Sequence, residues 1–246
     1  MSNESTRTAI VTGGSRGIGA AIAQRLAKDG FTVVVNYAGN AAEAENLVAK
    51  IKQMGDRAIS VQADVSDPAA MRRMFDQSAA ISGGVDVLIN NAGIMLLSTI
   101  ADAEDEVFDR QVAINLKGVF NGLREAAKRL RNGGRIISLS SSVVGRYPPT
   151  YALYAATKAG VEAMTHILSK ELRGRNITVN AIAAGPTATD LFLKGKSQIQ
   201  IDELKKMAPL ERLGEPDDIA RAVSFLAGPD GAWINGQVLQ ANGGII

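Results

Sequence analysis

The stretch Arg7-Thr-Ala-Ile-Val-Thr12, running straight into Gly13-Gly-Ser-Arg16-Gly17-Ile-Gly19, decides how the chain is read. Its first half is a short apolar run of the length and composition of a buried strand. Its second half is glycine-rich, and a helix follows, with Ala20, Ile22, Ala23, Leu26 and Ala27 forming an apolar stripe up to Gly30. Glycines at a strand-to-helix turn permit positive φ and let the backbone approach a ligand closely. The helix start behind them offers free N–H groups and positive partial charge, the requirements of a pyrophosphate site. Gly13, Gly17 and Gly19 are spaced G-x-x-x-G-x-G, which differs from the more familiar G-x-G-x-x-G spacing.

Outward from this turn, strands and helices alternate. Strands are expected at 31–36, 57–62, 85–90, 134–140, 176–182 and about 237–240. Helices are expected at 41–54, about 68–82, about 103–131, about 151–173 and 216–227, with a less regular stretch at 183–215. Alternation of this kind builds βαβ units. The fold class is therefore α/β: a single-domain, doubly wound parallel sheet of about seven strands with helices on both faces. No linker, low-complexity run or charge block marks a second domain within residues 1–246.

Bulk composition excludes several functions. Lys and Arg number 27 against 25 Asp and Glu, a formal net charge of +2, and no basic block is dense enough for nucleic acid. There is no Cys, and His166 is the single His, so a thiolate or zinc centre and a Ser-His hydrolase are not expected, and no metal is. No apolar run reaches the roughly 18 residues that span a bilayer. Met1-Ser-Asn-Glu-Ser-Thr-Arg7 is polar and lacks the apolar core of a signal peptide. A cytoplasmic protein without membrane or nucleic-acid partners is expected.

The end of the second strand reports on the dinucleotide. An NAD site usually carries Asp or Glu about twenty residues after the glycines. Here the segment reads Val35-Asn36-Tyr37-Ala38-Gly39-Asn40, with no carboxylate before Glu43. Arg16, inside the glycine turn, is suited to a 2′-phosphate. The expected cofactor is NADP(H). Farther along, Tyr154 and Lys158 stand one helical turn apart on one face, among the small residues Ala155, Ala156, Thr157, Ala159 and Gly160. A phenol loses its proton near ~10, and a neighbouring ammonium favours the phenolate.

Taken together, Thr12-Gly-Gly-Ser-Arg-Gly-Ile-Gly19, Asp64-Val65, Asn90-Asn-Ala-Gly93, Asn115, Ser141 and Tyr154-x-x-x-Lys158 resemble the short-chain dehydrogenase/reductase family with its Rossmann fold, in the branch of about 250 residues that includes 3-oxoacyl reductases. The resemblance implies a hydride transfer between nicotinamide and a ketone or secondary alcohol. Tyr154 would be the general acid or base, and Lys158 would lower its pKa and hold the nicotinamide ribose. Ser141 would bond the substrate oxygen, and Asn115 would hold a water that links Lys158 to solvent. Ser141 lies thirteen positions before Tyr154, as in the family; Ser142, which precedes Val143-Val144-Gly145, is the runner-up.

Cofactor contacts implied by the same likeness are Gly13, Ser15, Arg16, Gly17, Ile18 and Gly19 on the pyrophosphate, and Asn36, Tyr37 and Ala38 at the adenosine ribose. Asp64, with Val65, would hold the adenine amino group. Asn91, Ala92 and Gly93 would flank the ribose, and Gly185, Thr187 and Thr189 the carboxamide. The turn Ala184-Gly185-Pro186 departs from the family's Pro-Gly order.

Apolar residues on loops at the carboxyl ends of strands are the substrate candidates: Met95, Leu96, Tyr147, Leu153, Leu191, Phe192 and Met207. They point to a small hydrophobic carbonyl or alcohol. Residues 188–212 are expected to form a substrate lid. The helices at 103–131 and 151–173 resemble those that join family tetramers, so a homotetramer is expected. Arg129, Arg131, Arg173 and Arg175 provide a possible dock for an acidic carrier protein, which leaves a 3-oxoacyl-carrier-protein reductase as one alternative. A non-catalytic dinucleotide-binding regulator is another. It would lack Tyr, Lys or Ser at the site, and none is lacking.

Overall fold

Every residue of Thr8–Val11, the first strand (β1), is buried, because helices cover the sheet on both faces. In the computed structural model, which describes residues 7–246, β1 is an interior strand, third in a seven-stranded parallel sheet of order β3-β2-β1-β4-β5-β6-β7. The other strands are β2 (Thr32–Tyr37), β3 (Arg57–Gln62), β4 (Val85–Asn90), β5 (Leu130–Ser141), β6 (Thr178–Ala184) and β7 (Val238–Ala241). The N-terminal residues 1–6, part of the segment read above as lacking a signal peptide, lie outside the described residues.

Alternation along the strands sorts the core into two layers. Ala9, Val11, Val33, Val35, Val87, Ile89 and Ile137 face one side, against α1 (Gly17–Lys28), α2 (Ala41–Gln53) and α10 (Pro216–Ala227). Ile10, Val34, Leu88, Ile136 and Val179 face the other, against α3 (Pro68–Ser82), α5 (Gly118–Arg129) and α7 (Ala152–Glu171). The winding direction reverses between β1 and β4, so loops leaving those two strands diverge and open a crevice at their carboxyl ends.

Two expected elements differ. The helix foreseen over 103–131 is three pieces: α4 (Asp105–Gln111), a π-helical turn (Val112–Lys117) and α5. The wide turn is closed by the Gly118 N–H bonding to Ala113 O, five residues back. Gly118 is needed there, since a Cβ would stand 2.6 Å from Val65 Cγ2. The irregular stretch after β6 contains α8 (Asp190–Leu193) and α9 (Gln198–Met207). Ser197 and Gln200 cap α9 reciprocally. A short helix, α6 (Val143–Arg146), also intervenes between β5 and α7.

Candidate active site

The glycine turn is held in shape from three sides. Thr12 Oγ1 accepts from Asn91 N (2.9 Å) and Ala92 N (3.1 Å). Asn91 Nδ2 donates to Thr12 O (2.9 Å) and Gly13 O (3.0 Å). Asn36 Oδ1 accepts from Gly13 N (3.1 Å), while its Nδ2 donates to Ala63 O (3.0 Å) and Val61 O (3.3 Å). This corrects one expected cofactor contact: Asn36 is buried and its amide is spent on the protein's own backbone, so it shapes the turn and does not face the ribose. Tyr37 is half-buried, and Ala38 is exposed at the strand end.

The turn fits a dinucleotide. A Cβ at Gly13 would meet Ala92 Cα at 2.9 Å, and one at Gly19 would meet Gly13 O at 2.2 Å and Asn91 Nδ2 at 2.5 Å. The cradle therefore exists only with glycine at those positions. Gly13 and Gly17 have positive φ of 58° and 53°. No side chain caps the start of α1: Arg16 at the N-cap makes no such bond, so the first-turn N–H groups at Ile18 and Gly19 remain open to an anion. Ser15 is half-buried in the turn and Arg16 is exposed beside it, free to meet a phosphate. At the far end, Asp64 is exposed, and its Oδ1 takes the N–H and the hydroxyl of Ser66, both at 2.8 Å, which leaves Oδ2 outward. Val65 is buried against Gly118.

The second group of residues gathers where β4 and β5 end. Ser141 closes β5 and Tyr154 stands in the first turn of α7, where the serine hydroxyl exerts a downward pull on the pKa of the phenol. The alternative Ser142 is buried, with its N–H on Ala184 O (2.9 Å). Lys158 is fully buried and donates from Nζ to Leu139 O at 2.7 Å. Its ammonium lies 5.7 Å from the centre of the Tyr154 ring. Gly93 adjoins both Lys158 and Asn115, since a Cβ there would stand 3.8 Å from Lys158 Nζ and 3.3 Å from Asn115 Oδ1.

The structure adds detail to two implied roles. Burial pushes the Tyr154 phenol up to about 12, against a smaller downward pull from the Ser141 hydroxyl. Lys158 was expected to lower the Tyr value. Instead its ammonium is directed at Leu139 O, and burial lowers its own pKa to about 8. Asn115, expected to hold a water, is 0% exposed in the π-turn. Its Oδ1 accepts from Ile94 N and its Nδ2 donates to Ile94 O, both at 2.8 Å, so the amide clasps the loop after β4.

Facing this group is the turn after β6. Gly185 bonds Ala241 O through its N–H (2.9 Å) and packs so closely on Asn242 that a Cβ would stand 2.6 Å from its Cα. Thr187 is buried, with its hydroxyl on Gly185 O (2.9 Å). Thr189 caps α8, and its methyl is 3.4 Å from the Cβ position of Gly17, which joins this turn to the glycine turn.

Of the substrate candidates, Met95, Leu96, Leu153 and Phe192 are half-buried, while Leu191, Met207 and Tyr147 are exposed, Tyr147 at 72%. Tyr147 adopts a left-handed φ of 47°. The lid segment joins this side through Met207, whose sulfur accepts from Arg146 at 3.5 Å. His166 lies away from the group, with Nδ1 paired to Gly236 O (2.7 Å). Trp233 is 98% exposed.

The sequence model described as enoyl-(acyl carrier protein) reductase matches residues 13–246. An NADPH-dependent aldehyde reductase-like protein of Arabidopsis thaliana is 44% identical over 98% of this chain and 94% of its own. A short-chain type dehydrogenase/reductase of Picea abies is 45% identical over 97% and 92%. This chain is a short-chain dehydrogenase/reductase. A family member from Burkholderia cenocepacia, solved in complex with NADP, superposes with a TM-score of 0.92 at 40% identity, covering 99% of each chain.

Sequence reasoning passed over two residues that hold this geometry. Thr12 belonged to the glycine motif but was not read as the acceptor that joins β1 to the loop after β4. Gln111, four residues before Asn115, is equally buried and bonds the same loop; that spacing was its only signal.

Proposed function

We propose that this protein is an NADP(H)-dependent reductase of small hydrophobic aldehydes or ketones, with Tyr154 as its proton donor. One observation carries this reading. A half-buried phenol, raised to about 12, shares the carboxyl end of the sheet with the Ser141 hydroxyl, next to a glycine cradle fit for a dinucleotide.

NADPH, when bound, supplies the hydride for the carbonyl carbon. The protein does the rest. Ser141 donates a hydrogen bond to the carbonyl oxygen and polarises it. Tyr154 gives its proton to that oxygen as negative charge develops. Burial raises the phenol to about 12, so it holds the proton that carbonyl reduction requires. Lys158, fixed on Leu139 O, keeps a cation behind the ring, and Asn115 holds the loop that carries Gly93 and Met95. Arg16 and the open start of α1 receive the phosphates.

Met95, Leu96, Tyr147, Leu153, Leu191 and Phe192 favour an apolar substrate. Of the four arginines offered for a carrier-protein dock, Arg173 is exposed and the other three are engaged within the fold. Arg129 is paired to Asp76 and Glu125, Arg131 to Asp86, and Arg175 is bonded to the backbone of Ala127 and Leu130. Exposed Phe108 on α4, Phe120 on α5 and Ile167 on α7 support a homotetramer built on these helices, with a molecular mass in solution near four times 25.8 kDa. A cytoplasmic location remains part of the proposal, testable by cell fractionation.

The deciding assay follows NADPH and NADH absorbance against a panel of aldehydes and ketones. Tyr154→Phe should lose about 10²–10⁴-fold in kcat. Near-normal turnover in that variant would refute the mechanism, and a preference for NADH would refute the cofactor assignment alone.

A further inference from the structure

The nine residues after β4, 91–99, form no regular secondary structure, yet they carry Met95 and Leu96 beside the catalytic group. Three alternate residues in this stretch give their N–H groups to acceptors outside it. Ile94 N donates to Asn115 Oδ1 (2.8 Å), Leu96 N to Gln111 Oε1 (3.0 Å) and Ser98 N to Thr150 O (3.1 Å). Asn115 ties one end of the stretch to the Lys158 side of the site. Thr150, at a left-handed φ of 71° just before α7, ties the other end to the helix of Tyr154. Gln111 alone holds the middle, at the peptide between Met95 and Leu96.

Gln111 is an odd residue to find there if stability were its purpose. It is 0% exposed, on the last turn of α4, and its Nε2 has no hydrogen-bond partner in the protein. A buried amide with one donor unmade costs stability relative to an apolar side chain of the same shape. Its retained asset is the single bond to Leu96 N.

We propose that Gln111 is a positioning residue that fixes the 94–98 stretch as the rigid wall of the carbonyl pocket, a role that rests on the reductase reading above. Asn115 and Thr150 clamp the ends, so loss of the Gln111 bond lets the middle bow without moving Tyr154, Lys158 or the glycine turn. Binding of the carbonyl compound weakens, while the chemical step and cofactor binding are kept.

The test compares wild type, Gln111→Met and Gln111→Glu. Methionine matches the length of glutamine but offers no comparable acceptor; glutamate keeps an oxygen for Leu96 N. Gln111→Met should raise KM for the aldehyde or ketone about tenfold, the loss of about one net hydrogen bond. Its kcat and its KM for NADPH should stay within about threefold, its melting temperature should not fall, and Gln111→Glu should recover part of the KM. Hydrogen exchange is the independent readout: the Leu96 amide should exchange faster in Gln111→Met, with Ile94 and Ser98 unchanged. Unaltered Leu96 exchange overturns the clamp, whether or not Gln111→Glu folds. Unaltered carbonyl KM, or an equal rise in both KM values, overturns the positioning role. A wild type that turns over no carbonyl refutes the reductase reading instead, and Leu96 exchange still decides the clamp.

Discussion

Removing the Lys158 ammonium should stabilise the cofactor-free fold at neutral pH while disabling it as a catalyst. Lys158 is fully buried with no carboxylate partner among the described residues, and its one bond runs to Leu139 O. Burial lowers its pKa from 10.5 to about 8. The unfolded chain thus holds this proton more tightly than the folded one. Below about pH 8 both states carry the charge and the full burial cost is present. As pH rises from about 8 to 10.5 the folded state sheds its proton first, and stability climbs. That difference in pKa corresponds to about 3 kcal/mol. Lys158→Met keeps the stem, removes the charge and forfeits the bond to Leu139 O, worth about 1 kcal/mol net. The variant should therefore be more stable than wild type by about 2 kcal/mol at pH 7, with the advantage gone by about pH 10. Urea unfolding of both proteins at pH 7, 8.5 and 10 measures it. A stability difference that is the same at all three pH values, or a variant less stable at pH 7, would show that the ammonium bears no burial cost.

Two further outcomes follow from the glycine cradle. Gly19→Ala places a methyl 2.2 Å from Gly13 O, forcing the turn away from α1, and should weaken NADPH binding at least ~30-fold, the equivalent of about 2 kcal/mol of overpacking; calorimetric titration measures it, and binding within threefold of wild type contradicts it. Asn36→Leu keeps the branched shape but leaves the Gly13 N–H and the Val61 and Ala63 carbonyls without their side-chain partner, so the melting temperature should fall for a loss of about 2–4 kcal/mol. A direct ribose contact would instead change only NADPH affinity and leave the melting temperature where it was.

The parts of the molecule legible in sequence were those written in local patterns. The strand–glycine–helix junction at 8–28 needs only composition and order to be read, and so does the Tyr154–Lys158 spacing. The π-turn at 112–117 escaped because its apolar residues continue the period of the helices around it, while the constraint that shapes it, Gly118 against Val65, is distant in sequence. Helix α9 did carry a local signal, Ser197-x-x-Gln200, which the polar and glycine-containing run around it obscured. Asn36 was placed at the ribose by the family likeness; its partners Gly13, Val61 and Ala63 lie in the glycine turn and at the end of β3, which only folding brings within reach. The Tyr154 phenol was judged by its charged neighbour, whereas enclosure by the surrounding chain sets its pKa, and no spacing rule encodes enclosure.

Thr189 starts the segment proposed as a lid and rests on Gly17. A nucleotide seated on the glycine turn would therefore reach that segment through this contact. NADPH alone should slow amide exchange across residues 189–193, and exchange there that ignores the nucleotide would contradict the coupling.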